Sequence, residues 1–519
     1  MSLISSLPYD ILFQVENYLS NRDLETLIKT FFDFHDKSIL FATYVKLSEK
    51  KIIISDTLRN ELLSENDHVY LGPTECIQFL KGIMMFDESY GSNIFPKSIV
   101  FDLILSKEKA FVEIHEEMFD FLKNERHKRR FTSSRFDLVV RSIKEFSTEE
   151  VSIFLRNLAV GIGPRTRGII FLGSVINIDL SYVATLFDSL QCLDLNDFHQ
   201  HSKVDYLPQS VENFVFKDVQ LNGKKLPDNT KSLRLKNSTF NNCLGVRLPV
   251  IEELALCNIP EISNFVSQNW SSTLVSLVLD SVELKVDNLK LRELHNLERL
   301  KLIDLSNEFG YGFKCPPSLH SLYIQDKYLP YLSIDFQSLP ETLICLTLRG
   351  DLPFKFDNIA FPRNLDSLVL QGGGGIFQCE NFKCPPKLQK LIITLQKFRN
   401  VHKFKLAKTL REVNLSSNNI TKISTMKFPC NISTLCLSNN NFSSLNGVQF
   451  PLRMKQIDLT QKYSLMGAYD FTKYSWLSTA NIFISDSNKF IFNGGVKIIN
   501  DYDWRVDRKW KNREIEYFY

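Results

Sequence analysis

The chain has 519 residues, 44% of them hydrophobic, enough apolar content for several compact domains or for one elongated array. Lys and Arg number 62 against 59 Asp and Glu, a formal net charge of +3, so the overall balance calls for neither nucleic acid nor a membrane surface as partner. The opening MSLISSLPYDILF lacks a basic stretch followed by an apolar run and a cleavage site, and no segment approaches about 18 uncharged apolar residues. A soluble protein of the cytoplasm, the nucleus or both is expected. Ten cysteines without a C-x-x-C pair do not read as a disulfide framework or a zinc module.

The first predicted elements are helical. In SLPYDILFQVENYLSNRDLETLIKT, residues 6–30, Pro8 fits a first helical turn, and Ile11, Leu12, Val15 and Leu19 fall on one face. Ser20 with Asp23 opens a second helix, whose stripe is Leu24, Leu27, Ile28 and Phe31, and a third helix is expected over 36–50. This segment resembles the F-box, with an L-P-x-x-I-L opening and S-x-x-D-L at the start of the second helix. Leu7, Pro8, Ile11, Leu12, Val15, Leu19, Asp23 and Leu24 stand at matching positions. The resemblance implies that these residues dock on the small adaptor linking to a cullin–RING ubiquitin ligase, with a C-terminal repeat domain capturing substrate. The other reading is a helical cap on the first repeat of a solenoid.

Between 51 and 185 the spacing is long and irregular. FDLILS (101–106), FDLVVRS (136–142) and GIIFLG (168–173) read as strands, separated by helical stretches such as STEEVSIFLRNLA (147–159). The basic run NERHKRR at 124–130 reads as a solvated helix end, with nuclear targeting or anion docking as alternatives. Asp194, Asp197, His199 and His201 invite a metal reading, but a strand sends neighbours to opposite faces, so a solvated loop is expected and no metal ligand is assigned.

From 186 to 485 an L-x-x-L-x-L pattern recurs. Its second apolar residue, the marker of each repeat, falls at 193, 214, 233, 254, 277, 300, 322, 346, 368, 391, 413, 435, 457 and 482, a period of about 22 residues. L-x-L alternation is the signature of a strand, and a unit this short closes no core of its own, so it must stack on its neighbours. The pattern resembles the leucine-rich repeat family, most closely in LREVNLSSNN (410–419) and ISTLCLSNNN (432–441), which put Asn418 and Asn440 in the family's asparagine slot. Lys327, Asp351 and Gly373 fill that slot elsewhere, so the asparagine ladder is expected to be incomplete.

A proline six residues before the marker, at Pro208, Pro227, Pro340, Pro362, Pro385, Pro429 and Pro451, resembles the short repeats of bacterial effectors and FNIP-type proteins. It predicts an extended approach to the strand. Cys315 and Cys384 occupy an apolar slot seven residues before the marker and read as small buried hydrophobes. The glycines 372–375 sit in a turn slot without a phosphate-loop pattern around them. Trp504 and Trp510 mark 486–519 as a C-terminal cap.

The expected fold is therefore α/β: an F-box-like helical module (1–50), irregular β–α units (51–185), regular leucine-rich repeats (186–485) with a parallel sheet on a concave face, and a cap (486–519). Residues flanking the markers face outward on that sheet. Arg234, Arg299, Lys301, Tyr323, Arg349, Val369 and Lys390 are the candidate substrate-binding residues, with Lys217, Lys236 and Ile392 beside them. Glu253, Asp280, Glu412 and Asp458 interrupt the basic run. Basic residues with an aromatic suit a phosphorylated or acidic protein segment, and an ordinary solvated face is the alternative. No nucleophile-and-base or cofactor signature appears, so the expected role is the non-catalytic, substrate-recruiting subunit of an SCF-type ligase, or else a repeat scaffold without ligase association.

Overall fold

Alternating side chains on a strand give one face to the core, and the computed structural model of the chain builds that alternation into parallel strands. It describes residues 51–55, 68–71, 98–105, 135–142, 147–173, 178–196, 206–221, 226–238, 251–259, 272–282, 291–305, 314–326, 339–350, 360–372, 382–395 and most of 401–461, with short stretches between and beyond these as far as 500. The F-box-like positions, Leu7 through Leu24, and the tryptophans at 504 and 510 lie outside the described residues, as does the basic run at 124–130 apart from Asn124. The chain divides into two compact units, Met1–Pro260 and Glu261–Tyr519. Among the described residues no helix is long and apolar enough to cross a membrane.

In the first unit the strands are β1 (Lys51–Ser55), β2 (His68–Leu71), β3 (Ser98–Leu105), β4 (Arg135–Ser142), β5 (Thr166–Gly173), β6 (Cys192–Asn196), β7 (Lys203–Val204), β8 (Asn213–Lys217), β9 (Gln220–Leu221), β10 (Ser232–Lys236) and β11 (Glu253–Cys257). Among the described residues all of these pairings are parallel. The order is β2-β1-β3-β4-β5-β6-β8-β10-β11, with β7 and β9 forming a separate small pair. Strand β1 thus lies between β2 and β3, out of chain order, while the strands from β3 onward follow one another along the ladder. Helix α1 (Thr148–Ile162) fills the connection between β4 and β5. Ser147 and Glu150 close its N-terminus reciprocally, each side chain accepting the other's backbone N–H. Its Val151, Leu155, Leu158 and Ile162 are buried, while Asp179 caps the short α2 (Leu180–Leu186).

The second unit runs in chain order through β12 (Ser276–Asp280), β13 (Arg299–Ile303), β14 (Ser321–Asp326), β15 (Cys345–Gly350), β16 (Ser367–Gln371), β17 (Lys390–Thr394), β18 (Glu412–Asn414), β19 (Thr434–Cys436) and β20 (Gln456–Asp458). Strand β21 (Tyr469–Asp470) leaves the ladder to pair with β23 (Phe490–Ile491), while β22 (Asn481–Ile484) and β24 (Ile498–Asn500) continue it. The parallel ladder therefore extends past the boundary expected at 485.

Markers align with markers: Leu300 pairs with Leu322, Leu322 with Leu346, and Leu346 with Leu368. These leucines and their i+2 partners are at most 1% exposed. Each such side chain contributes about 1.5–3 kcal/mol on leaving water, and the benefit exists only when the next repeat covers it. Register is held from both ends of the strand. Before it, one carbonyl accepts two N–H groups of the next repeat: Glu298 takes His320 and Ser321, and His320 takes Ile344 and Cys345.

The prolines differ from expectation. The carbonyl of Pro340 accepts the N–H of Leu343, and those of Pro362, Pro385 and Pro429 repeat the arrangement with Leu365, Leu388 and Ile432. Proline thus opens a β-turn before the strand rather than an extended approach, and its absent N–H costs nothing because the turn's donor lies three residues on. After the strand, the residue four beyond the marker adopts a left-handed conformation in repeat after repeat: Asp218, Asn237, Asn258, Ser281, Asp304, Leu395, Ser417 and Asn439, with φ from +42° to +61°. Its N–H reaches the next repeat, as Asn237 to the Cys257 carbonyl and Ser281 to that of Ile303.

Candidate functional site

The outward positions of the second unit form three rows. The central row holds Val278, Lys301, Tyr323, Thr347, Val369 and Ile392, flanked on one side by Ser276, Arg299, Ser321, Cys345, Ser367 and Lys390 and on the other by Asp280, Ile303, Gln325, Arg349, Gln371 and Thr394. Register brings three predicted residues from neighbouring strands onto one ring. The Lys301 ammonium lies 5.1 Å from the centroid of Tyr323 and the Arg349 guanidinium 5.5 Å. Both distances suit cation–π attraction, which adds about 0.5–2 kcal/mol per contact according to how dry the site is. The Tyr323 hydroxyl donates to Gln325 Oε1 at 2.7 Å. Lys301 and Tyr323 are buried and Arg349 is half-buried.

Charge is distributed unevenly over the outward rows. In the first unit Arg234 meets Glu253 at 3.7 Å across adjacent strands, and Arg141 meets Asp102 through two contacts of 2.5 and 3.0 Å. In the second, Lys390 faces Glu412 at 3.5 Å. Across β13 to β15 the outward residues are Arg299, Lys301 and Ile303, then Ser321, Tyr323 and Gln325, then Cys345, Thr347 and Arg349. That stretch carries three cations and no carboxylate.

Of the other candidates, Arg234 belongs to the first unit and is placed among its own neighbours. Arg299 and Lys390 lie four strands apart in the same row, about 19 Å at the usual strand spacing. Val369 is only 2% exposed and serves as floor rather than contact. Sequence reasoning passed over Gln325, Gln371 and Thr394, which complete the third row, because polar uncharged residues carry no signal until register aligns them. Thr394 is 7% exposed, and its Oγ1 has no hydrogen-bond partner among the described residues.

Asp194 is not in a solvated loop. It stands in β6, half-buried, in register with Ile170 and Val215. Burial raises its carboxyl to about 6 from an ordinary 3.8, against the opposing pull of Arg234 and Lys217. Asp197, His199 and His201 lie outside the described residues, and among those described no group of His, Cys, Asp and Glu is placed to hold a metal ion. Cys315 is buried in its apolar slot, and burial pushes the half-buried Cys384 thiol up to about 11, an unreactive state. Gly372 has φ +92°, and its N–H donates to the Thr394 carbonyl at 2.9 Å. Asp458 is held above the usual carboxylate range by burial, although the hydroxyl and N–H of Thr460 donate to it.

Rigidity behind this face comes from a buried amide ladder. Asn440 Nδ2 donates to the Leu415 and Leu437 carbonyls at 2.8 and 2.9 Å, while its Oδ1 accepts the Ile420 N–H. Asn418 repeats the pattern towards Ile393 and Leu415. Gln461 extends it, donating to the Leu437 carbonyl and accepting the Asn440 N–H. Gln461 stands four residues beyond its marker rather than five, and its extra methylene makes up the difference.

A scan against known protein families finds no match, and no curated protein matches in sequence. Among solved structures, an internalin from Listeria monocytogenes aligns over 55% of this chain and 84% of its own at 16% identity, with a TM-score of 0.33. CroV588, described as a circular LRR protein, aligns over 70% of this chain and 50% of its own at 14% identity and a TM-score of 0.35, so the chain spans about half of that protein's length. A Leptospira interrogans LRR protein aligns over 72% of this chain and 92% of its own, at 14% identity and a TM-score of 0.34.

Proposed function

We propose that this chain, whose marker-to-marker register and buried amide ladder make it a leucine-rich-repeat solenoid, is a non-catalytic recruiting subunit that captures a protein through its outward strand face. One observation carries the reading: the outward residues of β13 to β15 include three cations and no carboxylate, and two of the cations, Lys301 and Arg349, lie over the Tyr323 ring. Such a surface favours an acidic or phosphorylated protein segment, since Arg and Lys make charge-assisted bonds to carboxylate and phosphate. A solenoid suits this task because each repeat is fixed by its neighbours, so the face is organised before the partner arrives.

The finer reading adds the ligase. Leu7, Pro8, Ile11, Leu12, Val15, Leu19, Asp23 and Leu24 match the F-box pattern, so residues 1–50 are proposed to bind the adaptor of an SCF-type cullin–RING ubiquitin ligase in the cytoplasm or nucleus. Transfer would then be catalysed by other subunits, and this chain would supply proximity. The test is affinity purification of the tagged chain beside a variant carrying Leu7→Ala, Pro8→Ala and Leu12→Asp. Adaptor and cullin should accompany the first and be lost from the second. Their absence from the unaltered chain would leave a free-standing repeat scaffold, and their retention by the variant would refute the docking face.

A further inference from the structure

The slot four residues beyond the marker is left-handed in most of the described repeats, which fill it with Asp, Asn, Ser or Gly, residues that tolerate that backbone. Leu395 departs from this. It has φ +61° and is 49% exposed, a bulky apolar side chain where both backbone and solvent disfavour one. Strain of this kind persists where the surroundings enforce it, and it gathers at binding sites. The residue before it is Thr394, more than nine-tenths buried, with a hydroxyl that has no hydrogen-bond partner among the described residues. Thr394 also ends the row of Gln325, Arg349 and Gln371, whose side chains supply N–H donors. An apolar anchor therefore adjoins a donor-rich row that borders the cationic pair on Tyr323.

We infer that Leu395 is a specificity-determining contact of this face, and that the occupant is an extended peptide segment with an acidic side chain and an apolar one about three residues away. The acid lies over Arg349 and Lys301, and the apolar side chain covers Leu395. The spacing follows from the sheet. Strands stand about 4.8 Å apart, so β15 and β17 are separated by about 9.6 Å, and a peptide extended as a polyproline-II helix advances about 3.1 Å per residue and returns a side chain to the same face every third residue. Three residues span that interval. Charge complementarity selects the acid. The inference rests on the strand face being protein-binding and is independent of adaptor docking.

The experiment uses the purified full chain and a displayed library of random ten-residue peptides. Recovered sequences should converge on Asp or Glu followed or preceded at three residues by Leu, Ile, Met or Phe. Against a synthetic consensus peptide, Arg349→Gln and Leu395→Asn should each weaken binding at least tenfold, while Ile344→Ser, which removes another exposed apolar side chain, should leave it unchanged. Leu395→Asn should also melt at a higher temperature than the parent, because Asn fits the left-handed slot, so its weaker binding cannot come from misfolding. Convergence on acidic residues without the apolar position, or equal binding by Leu395→Asn, overturns the role of Leu395 while leaving the face protein-binding. Absence of any consensus, or binding indifferent to both substitutions, overturns the proposed occupant altogether, whatever the adaptor experiment shows.

Discussion

Replacing Gly372 by Ala tests how tightly one repeat rests on the previous one. An added Cβ would lie 2.4 Å from the Gly350 carbonyl oxygen and 3.1 Å from its carbon, a backbone group that cannot swing aside. The position also has φ +92°, which costs an L side chain about 1–2 kcal/mol. Relieving the overlap means prising two repeats apart, comparable to overpacking a core at about 1–3 kcal/mol. The expected total is about 2–5 kcal/mol. Gly447 provides the comparison, with φ +79° but its nearest neighbour, Ser424 Cβ, at an ordinary 3.6 Å. Gly447→Ala should cost the backbone term alone, about 1–2 kcal/mol. Urea unfolding followed by circular dichroism should show a clearly larger fall in midpoint for Gly372→Ala. Hydrogen exchange should speed up at the Gly372 amide, which bonds to Thr394 of the next repeat. Equal midpoints for the two variants would refute the close approach of Gly350 and Gly372.

Two further outcomes are expected. Asn440→Ala removes three donations to carbonyls and the acceptor for the Ile420 N–H in a side chain only 3% exposed, and should destabilise by about 3–5 kcal/mol in the same urea assay. A loss below about 1 kcal/mol would mean that the amide ladder does not tie the repeats. Asp194 holds its proton more tightly folded than unfolded, because burial raises its carboxyl from 3.8 to about 6. Its contribution is therefore full below pH 3.8 and lost as the pH rises through about 6. Asp194→Asn should flatten stability against pH over that window and make the chain more stable at pH 7, whereas an unaltered slope would contradict the burial.

The sequence by itself determined the repeat. L-x-x-L-x-L encodes strand, face and core within a few residues, because side-chain alternation is a local property of the backbone, so markers such as Leu300, Leu322 and Leu346 could be placed in the core without coordinates. Helix α1 was equally legible, since its cap and apolar stripe are contiguous. Asn418 and Asn440 were read from their spacing, but Gln461 was not, because a longer side chain from one position earlier breaks the pattern while making the same bonds.

Only the tertiary structure decided which outward residues meet. Lys301, Tyr323 and Arg349 come from three repeats of unequal length, and strand register, summed over the connections, sets them around one ring. The same register assigned Arg234 and Lys390 to carboxylate neighbours and put Val369 in the floor. It also set β1 between β2 and β3 and made the prolines turn openers, since pairing and turn hydrogen bonds depend on where the chain returns. Leu395 shows the division most sharply. In the sequence it is one more leucine of a leucine-rich chain, and only its backbone conformation and exposure set it apart from those that build the core.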